Sequence, residues 1–97
     1  MNRDRLDDDA VARWLGAHPQ WSRRGDAITR SVRCAGFPAA VALVVEVAKP
    51  AEAMDHHPDI DIRYDTATFV LSTHSAGGLT ALDLELAERI DDAAAGA

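Results

Sequence analysis

Residues 59–74 read DIDIRYDTATFVLSTH, and this stretch decides the fold. Ile60, Ile62 and Tyr64 alternate with Asp59, Asp61, Arg63 and Asp65, which is the two-residue period of a strand with one wet face. After a short connection at residues 65–67, the segment 68–74 is rich in β-formers, with Phe69 and Leu71 on one parity and Val70, Ser72 and His74 on the other. The pair predicts an antiparallel hairpin in which His74 closes the last strand and Tyr64 is a core or rim aromatic.

Upstream of the hairpin, the block 37–55 carries Pro38 near a first helical turn, where a missing N–H costs nothing, and then Val41, Leu43, Val44, Val45 and Val47. This is a helix apolar on more than one side. One face covers the sheet and the rest calls for a second subunit. Pro50 removes the hydrogen bond to the Glu46 carbonyl and crowds the preceding turn, so a kink or break is expected there.

Downstream, Gly77 and Gly78 allow a sharp turn, and Thr80 with Asp83 three residues on has the form of a capping box. The helix that follows presents Leu82, Leu86 and Ile90 on one face, and residues 91–97 are expected to fray. At the other end, Leu6, Val11, Trp14, Leu15 and His18 predict an amphipathic helix, with Asp7 as N-cap and an end near His18 because Pro19 follows. Trp21 should begin a first strand, Gly25 and Asp26 turn it, and Ile28, Val32 and Cys34 share one parity of a second, with Cys34 a small buried apolar residue. The order α-β-β-α-β-β-α implies an α+β fold, a four-stranded antiparallel sheet covered on one face by helices, in one domain spanning residues 1–97.

The chain has 97 residues, 47% apolar, with sixteen acids against ten bases and a net charge of −6. That balance argues against a nucleic-acid surface or an anionic-membrane anchor. The longest apolar stretch already contains Glu46 and stops at Lys49, short of the roughly twenty residues needed to cross a bilayer. Cys34 is the single cysteine, so no internal disulfide forms, and the polar start predicts no signal peptide and a cytoplasmic location. A chain this short gains from covering leftover apolar surface, which favours a homo-oligomer.

Three of the four histidines fall between positions 56 and 74, in the frame Glu52, x3, His56, His57, Pro58, x5, Tyr64, x9, His74, x8, Asp83. This frame resembles the signature of the pterin-4a-carbinolamine dehydratase family, also called dimerization cofactors of a homeodomain transcription factor. HHPDIDIRY and LSTHSAGGLTALDLELA are similar to the family beyond the motif. Pro50 is a departure, since the family usually runs a continuous helix there.

The resemblance implies removal of water from a 4a-hydroxytetrahydropterin (4a-hydroxytetrahydrobiopterin), giving quinonoid dihydropterin and recycling the pterin. It implies a dimer or tetramer and a link to aromatic amino acid hydroxylases. Expelling hydroxide from C4a and losing the N5 proton needs one proton donor and one acceptor, and imidazoles, with an unperturbed pKa of about 6.5, suit both near neutral pH. No metal or redox cofactor is required.

By resemblance His56 and His74 do acid/base work and His57 binds substrate and stabilises charge, with the direction of each proton open. Adjacent residues on a helix diverge by about 100°, so His56 and His57 cannot share one task. Trp21, Glu52, Pro58 and Asp83 complete the substrate-binding set, each with a structural alternative: Trp21 as core anchor, Glu52 as solvated helix residue or as the group that orients His56, Pro58 as turn former, Asp83 as helix cap or as an indirect partner of His74. His18 lies outside the motif as a helix C-terminal cation.

Two other readings compete. Three histidines are also the ligand set of zinc hydrolases, but no HxH or HxxxH spacing exists and the dehydration needs no metal. A non-catalytic interaction module or coactivator of the same fold has no need for three imidazoles in this arrangement.

Overall fold

The computed structural model describes residues 3–97. Helix α1 is Asp8–Ala17, strands β1 and β2 are Ser22–Arg24 and Ala27–Arg33, helix α2 is Phe37–Ala53, strands β3 and β4 are Asp59–Arg63 and Thr66–Leu71, and helix α3 is Ala81–Ala95. The expected α-β-β-α-β-β-α order is therefore observed. The strands form one antiparallel sheet in the order β1-β2-β4-β3, which puts the two hairpins side by side through β2 and β4.

The pairing partners Ile28↔Leu71, Val32↔Ala67 and Ile60↔Phe69 place these side chains on one face. Three stripes bury against that face: Val11 of α1, Ala40, Leu43, Val47 and Ala51 of α2, and Leu82, Leu86, Ala87 and Ile90 of α3. The opposite face carries Thr29, Ser31, Thr66 and Thr68, none of them buried, and the Ser31 and Thr68 hydroxyls bond across it at 2.8 Å. β3 is an edge strand. Its alternation is real, but Ile60 at the end of the helix layer stays 39% exposed, because burial depends on what lies above the strand and not on parity alone.

Both expected caps form. The Asp7 carboxylate accepts from the Ala10 N–H at 2.8 Å, and Thr80 with Asp83 closes a reciprocal capping box on α3. α1 ends with His18 as C-cap, where its ring stacks on Trp14 at 3.9 Å. Cys34 is half-buried against the core.

Four local expectations are corrected. α2 is not broken at Pro50 but runs on to Ala53; the freed carbonyl belongs to Glu46, an exposed residue that water can reach, and only the last turn lies beyond the ring. Residues 91–95 do not fray, because Asp91 accepts hydrogen bonds from the Trp21 indole and the Arg30 guanidinium and ties α3 to the sheet. The first strand starts at Ser22, one residue after Trp21.

Tyr64, the fourth, is neither core nor rim. It is 74% exposed in the two-residue turn between β3 and β4, at φ 52°. Asp65 beside it accepts from the Thr66 hydroxyl at 3.0 Å and the Arg33 guanidinium at 3.1 Å, which hold its carboxyl below the usual carboxylate range. A bulky aromatic in the left-handed region costs about 1 kcal/mol or more, whereas asparagine tolerates it. Tyr64→Asn is therefore expected to raise stability by roughly 0.5–1 kcal/mol, measured by urea unfolding; an unchanged or lower midpoint would show that the ring earns its place by packing.

Candidate active site

α2 ends in a Schellman motif that sorts the two adjacent histidines. Asp55 takes the left-handed conformation at φ 49°, its N–H donates to the Glu52 carbonyl at 3.1 Å, and the His56 N–H donates to the Ala51 carbonyl at 3.0 Å. Ala51 is on the buried stripe of α2, so the residue bonded back to it turns inward. His56 is only 7% exposed as a result, while His57 points to solvent.

The buried imidazole meets a buried carboxylate. His56 Nε2 lies 2.6 Å from Asp83 Oδ1, and Asp83 is 0% exposed. Asp83 Oδ2 accepts from the Thr73 hydroxyl at 2.7 Å and from the Thr80 N–H at 2.9 Å. Thr73 and Thr80 hydroxyls are 2.8 Å apart, and both residues are buried. Every polar atom of this cluster that would otherwise lose water on burial thus has a partner or, at His56 Nδ1, some exposed surface.

His74 does not close a strand. β4 stops at Leu71, Thr73 pairs with Gly78 across the loop, and His74 opens a short 3-10 turn, His74–Ala76, that Gly77 ends at φ 70°. Its side chain is exposed, and its backbone directly follows Thr73, which holds Asp83. The loop is clasped from the other end of the chain: Leu6 N–H donates to the Leu79 carbonyl at 2.8 Å, and a Cβ on Gly78 would come within 3.0 Å of Arg5 Nε.

Two pairings differ from the sequence expectation. Glu52 orients His57 rather than His56, with Oε1 2.8 Å from Nε2, because the Schellman turn folds the chain back over the last helical turn. Asp83 is both cap and partner, but its imidazole is that of His56 and not His74. Pro58 follows His57 and leads into β3. Trp21 is 3% exposed in the core, bonded to Asp91 at 2.8 Å and edge-on to Trp14; none of these contacts joins it to His56, His57 or His74.

Thr73 and the Thr80 hydroxyl are the members that sequence reasoning missed. A signal was present: a carboxylate has about four acceptor sites and a capping box fills one, so an aspartate on a buried helix face needs further donors.

A family model described as pterin 4 alpha carbinolamine dehydratase matches residues 4–93. The chain belongs to the pterin-4a-carbinolamine dehydratase family. A Nocardia farcinica relative named for that dehydratase is 54% identical over 94 residues, covering 97% of this chain and 99% of its own. One from Chloroflexus aurantiacus is 50% identical over 88 residues, covering 91% and 95%. The crystal structure of a transcriptional coactivator/pterin dehydratase from Brucella melitensis superposes with a TM-score of 0.89 at 32% identity, over 94% of this chain and 99% of that one. A pterin dehydratase-like RuBisCO assembly factor of the alpha-carboxysome shares the fold, with a TM-score of 0.62 at 16% identity, over 76% and 86%.

Proposed function

We propose that this chain, acting as one domain, dehydrates a 4a-hydroxytetrahydropterin to the quinonoid dihydropterin and water by histidine general acid/base catalysis. The observation that carries the reading is the buried His56–Asp83 pair beside the loop of His74, in a member of this family. In the reaction the C4a–O bond breaks as a proton reaches the departing oxygen. The N5 proton leaves to a base, and the N5 electron pair closes the C4a=N5 double bond. His56 and His74 are assigned to the two proton transfers, and His57, held by Glu52, to binding and charge stabilisation. Pro58 and Trp21 are assigned to the substrate-binding side with Glu52, Trp21 offering a ligand only its 3% of exposed surface, and Asp83 acts behind His56.

The product would return to the pterin pool that aromatic amino acid hydroxylases draw on, in the cytoplasm, where the lone Cys34 stays reduced. The test is stopped-flow measurement of 4a-carbinolamine loss with purified protein. Acceleration over buffer is expected; a rate equal to buffer would instead favour a coactivator or interaction module.

We also propose a homo-oligomer, dimer or tetramer, built on α2. Phe37, Val41 and Val45 recur every fourth residue along it and stay 52%, 38% and 54% exposed. Light scattering at micromolar concentration is expected to give a multiple of the chain mass, and Val45→Glu to shift it to the monomer. A wild-type monomer would sink this proposal.

A further inference from the structure

Among the described residues, hydrogen-bond donors and acceptors around Asp83 run in one direction only. The Leu82 N–H donates to Thr80 Oγ1 at 3.3 Å, and the Thr80 N–H donates to Asp83 Oδ2. A threonine hydroxyl has a single proton. That of Thr73 goes to Asp83 Oδ2, so the 2.8 Å contact between the two hydroxyls is filled by the Thr80 proton, donated to Thr73 Oγ1. As a carboxylate Asp83 has no proton to give, so both its oxygens accept, Oδ2 twice and Oδ1 from His56 Nε2.

We infer that Thr73 and Thr80 are positioning residues that, through Asp83, lock His56 in the tautomer carrying its proton on Nε2, so that Nδ1 meets the substrate as a proton acceptor. This rests on the dehydratase reading for its consequence, not for its geometry. Among the described residues Nδ1 has no partner, and it is not among the atoms sealed from solvent, so it is the ring nitrogen left for chemistry. A neutral imidazole whose Nε2 proton is taken by a carboxylate offers a lone pair at Nδ1, which suits it to remove the N5 proton. The donor to the leaving oxygen is then His74, whose exposed ring makes no bond among the described residues that would fix its tautomer.

The lock makes an unusual demand of asparagine at position 83. Oδ2 is faced by two donors, the Thr73 hydroxyl and the Thr80 N–H, and those will claim the single amide oxygen. The amide NH2 then faces His56 and donates to Nε2, which forces the proton onto Nδ1 and removes the lone pair from the substrate side. The same logic governs the aspartate-to-asparagine change behind the histidine of serine proteases, where geometry survives and the tautomer is wrong.

The test is ¹⁵N NMR of histidine-labelled protein above the imidazole titration, without substrate, His56 being assigned by comparison with His18→Gln, His57→Gln and His74→Gln. Wild type is expected to show His56 protonated on Nε2, and Asp83→Asn to show it protonated on Nδ1 in a folded protein. Thr73→Val, which removes one of the two donors that aim Asp83 and frees its carboxylate to turn from His56, is expected to weaken the Nε2 bias, and Thr73→Ser, which keeps the hydroxyl, to restore the Nε2 form. In the stopped-flow assay Asp83→Asn is expected to lose about 10²-fold or more in kcat with a smaller change in KM. An Nδ1-protonated His56 in wild type, or an unchanged tautomer in folded Asp83→Asn, overturns the lock; the wild-type measurement stands even if a variant fails to fold. Correct tautomers in a protein that does not accelerate dehydration would support the lock and overturn the dehydratase reading alone.

Discussion

His74→Ala is expected to slow dehydration by about 10²- to 10⁴-fold while leaving the unfolding midpoint nearly unmoved. The ring is exposed, makes no hydrogen bond among the described residues, and sits on a turn whose backbone is fixed by Thr73, Gly77 and Gly78 rather than by the imidazole. His56→Ala should show a comparable rate loss with a stability loss as well, since it strips a buried carboxylate oxygen of its partner, at about 1–3 kcal/mol. The double replacement should fall short of the product of the two single losses. An acid and a base that serve one linked event are not independent, and removing either disables most of what the other contributes. Spontaneous dehydration sets the floor. The measurement is the stopped-flow rate for the single and double variants at several pH values, with circular dichroism to show that each is folded. A folded double variant that keeps wild-type turnover would refute the histidine mechanism.

Asp83→Ala is expected to cost stability on a scale that no change at the exposed histidines approaches. One side chain accepts from the Thr73 hydroxyl, the Thr80 N–H and His56, and it has no solvent exposure. Its removal leaves three donors facing a void, opens the cap of α3, and breaks a buried hydrogen-bonded pair, a change that typically costs about 3–5 kcal/mol. A domain of this size has on the order of 5–10 kcal/mol in total. A loss of that size corresponds to a thermal midpoint lowered by roughly 15 °C or more. Asp83→Asn should lose much less, because an amide can still accept from Thr73 and Thr80 and donate to His56. Urea unfolding of wild type, Asp83→Asn and Asp83→Ala measures the series. A loss below about 1 kcal/mol in Asp83→Ala would mean that water replaces the carboxylate, against the picture of a sealed cluster.

The spacing of the histidines hides a distinction that the folded chain makes between them. The frame from Glu52 to Asp83 identifies the residues that carry chemistry, but it treats His56, His57 and His74 alike. In the folded chain one is buried and paired, one is exposed and held by Glu52, and one is exposed with no side-chain partner among the described residues. The reversal at Glu52 has the same origin. Counting one helical turn from Glu52 leads to His56, but α2 has already ended at Ala53, and a left-handed Asp55 re-aims both imidazoles.

Local patterns were legible because their causes are local. Strand alternation in DIDIR, the apolar spacing of α2 and α3, the Asp7 cap and the Thr80–Asp83 box each rest on sterics and hydrogen bonds within a few residues. Those patterns determined the element order, the antiparallel sheet and the set of candidate residues. Tertiary structure alone decided that β4 lies between β2 and β3, that Ile60 is left at an edge, that Asp91 anchors the last helix, and that Asp83 meets His56 across 27 residues of chain. Such contacts depend on which faces the helices present to one another after packing, and a hydrogen bond in the interior forms wherever packing leaves a donor and an acceptor no water to turn to.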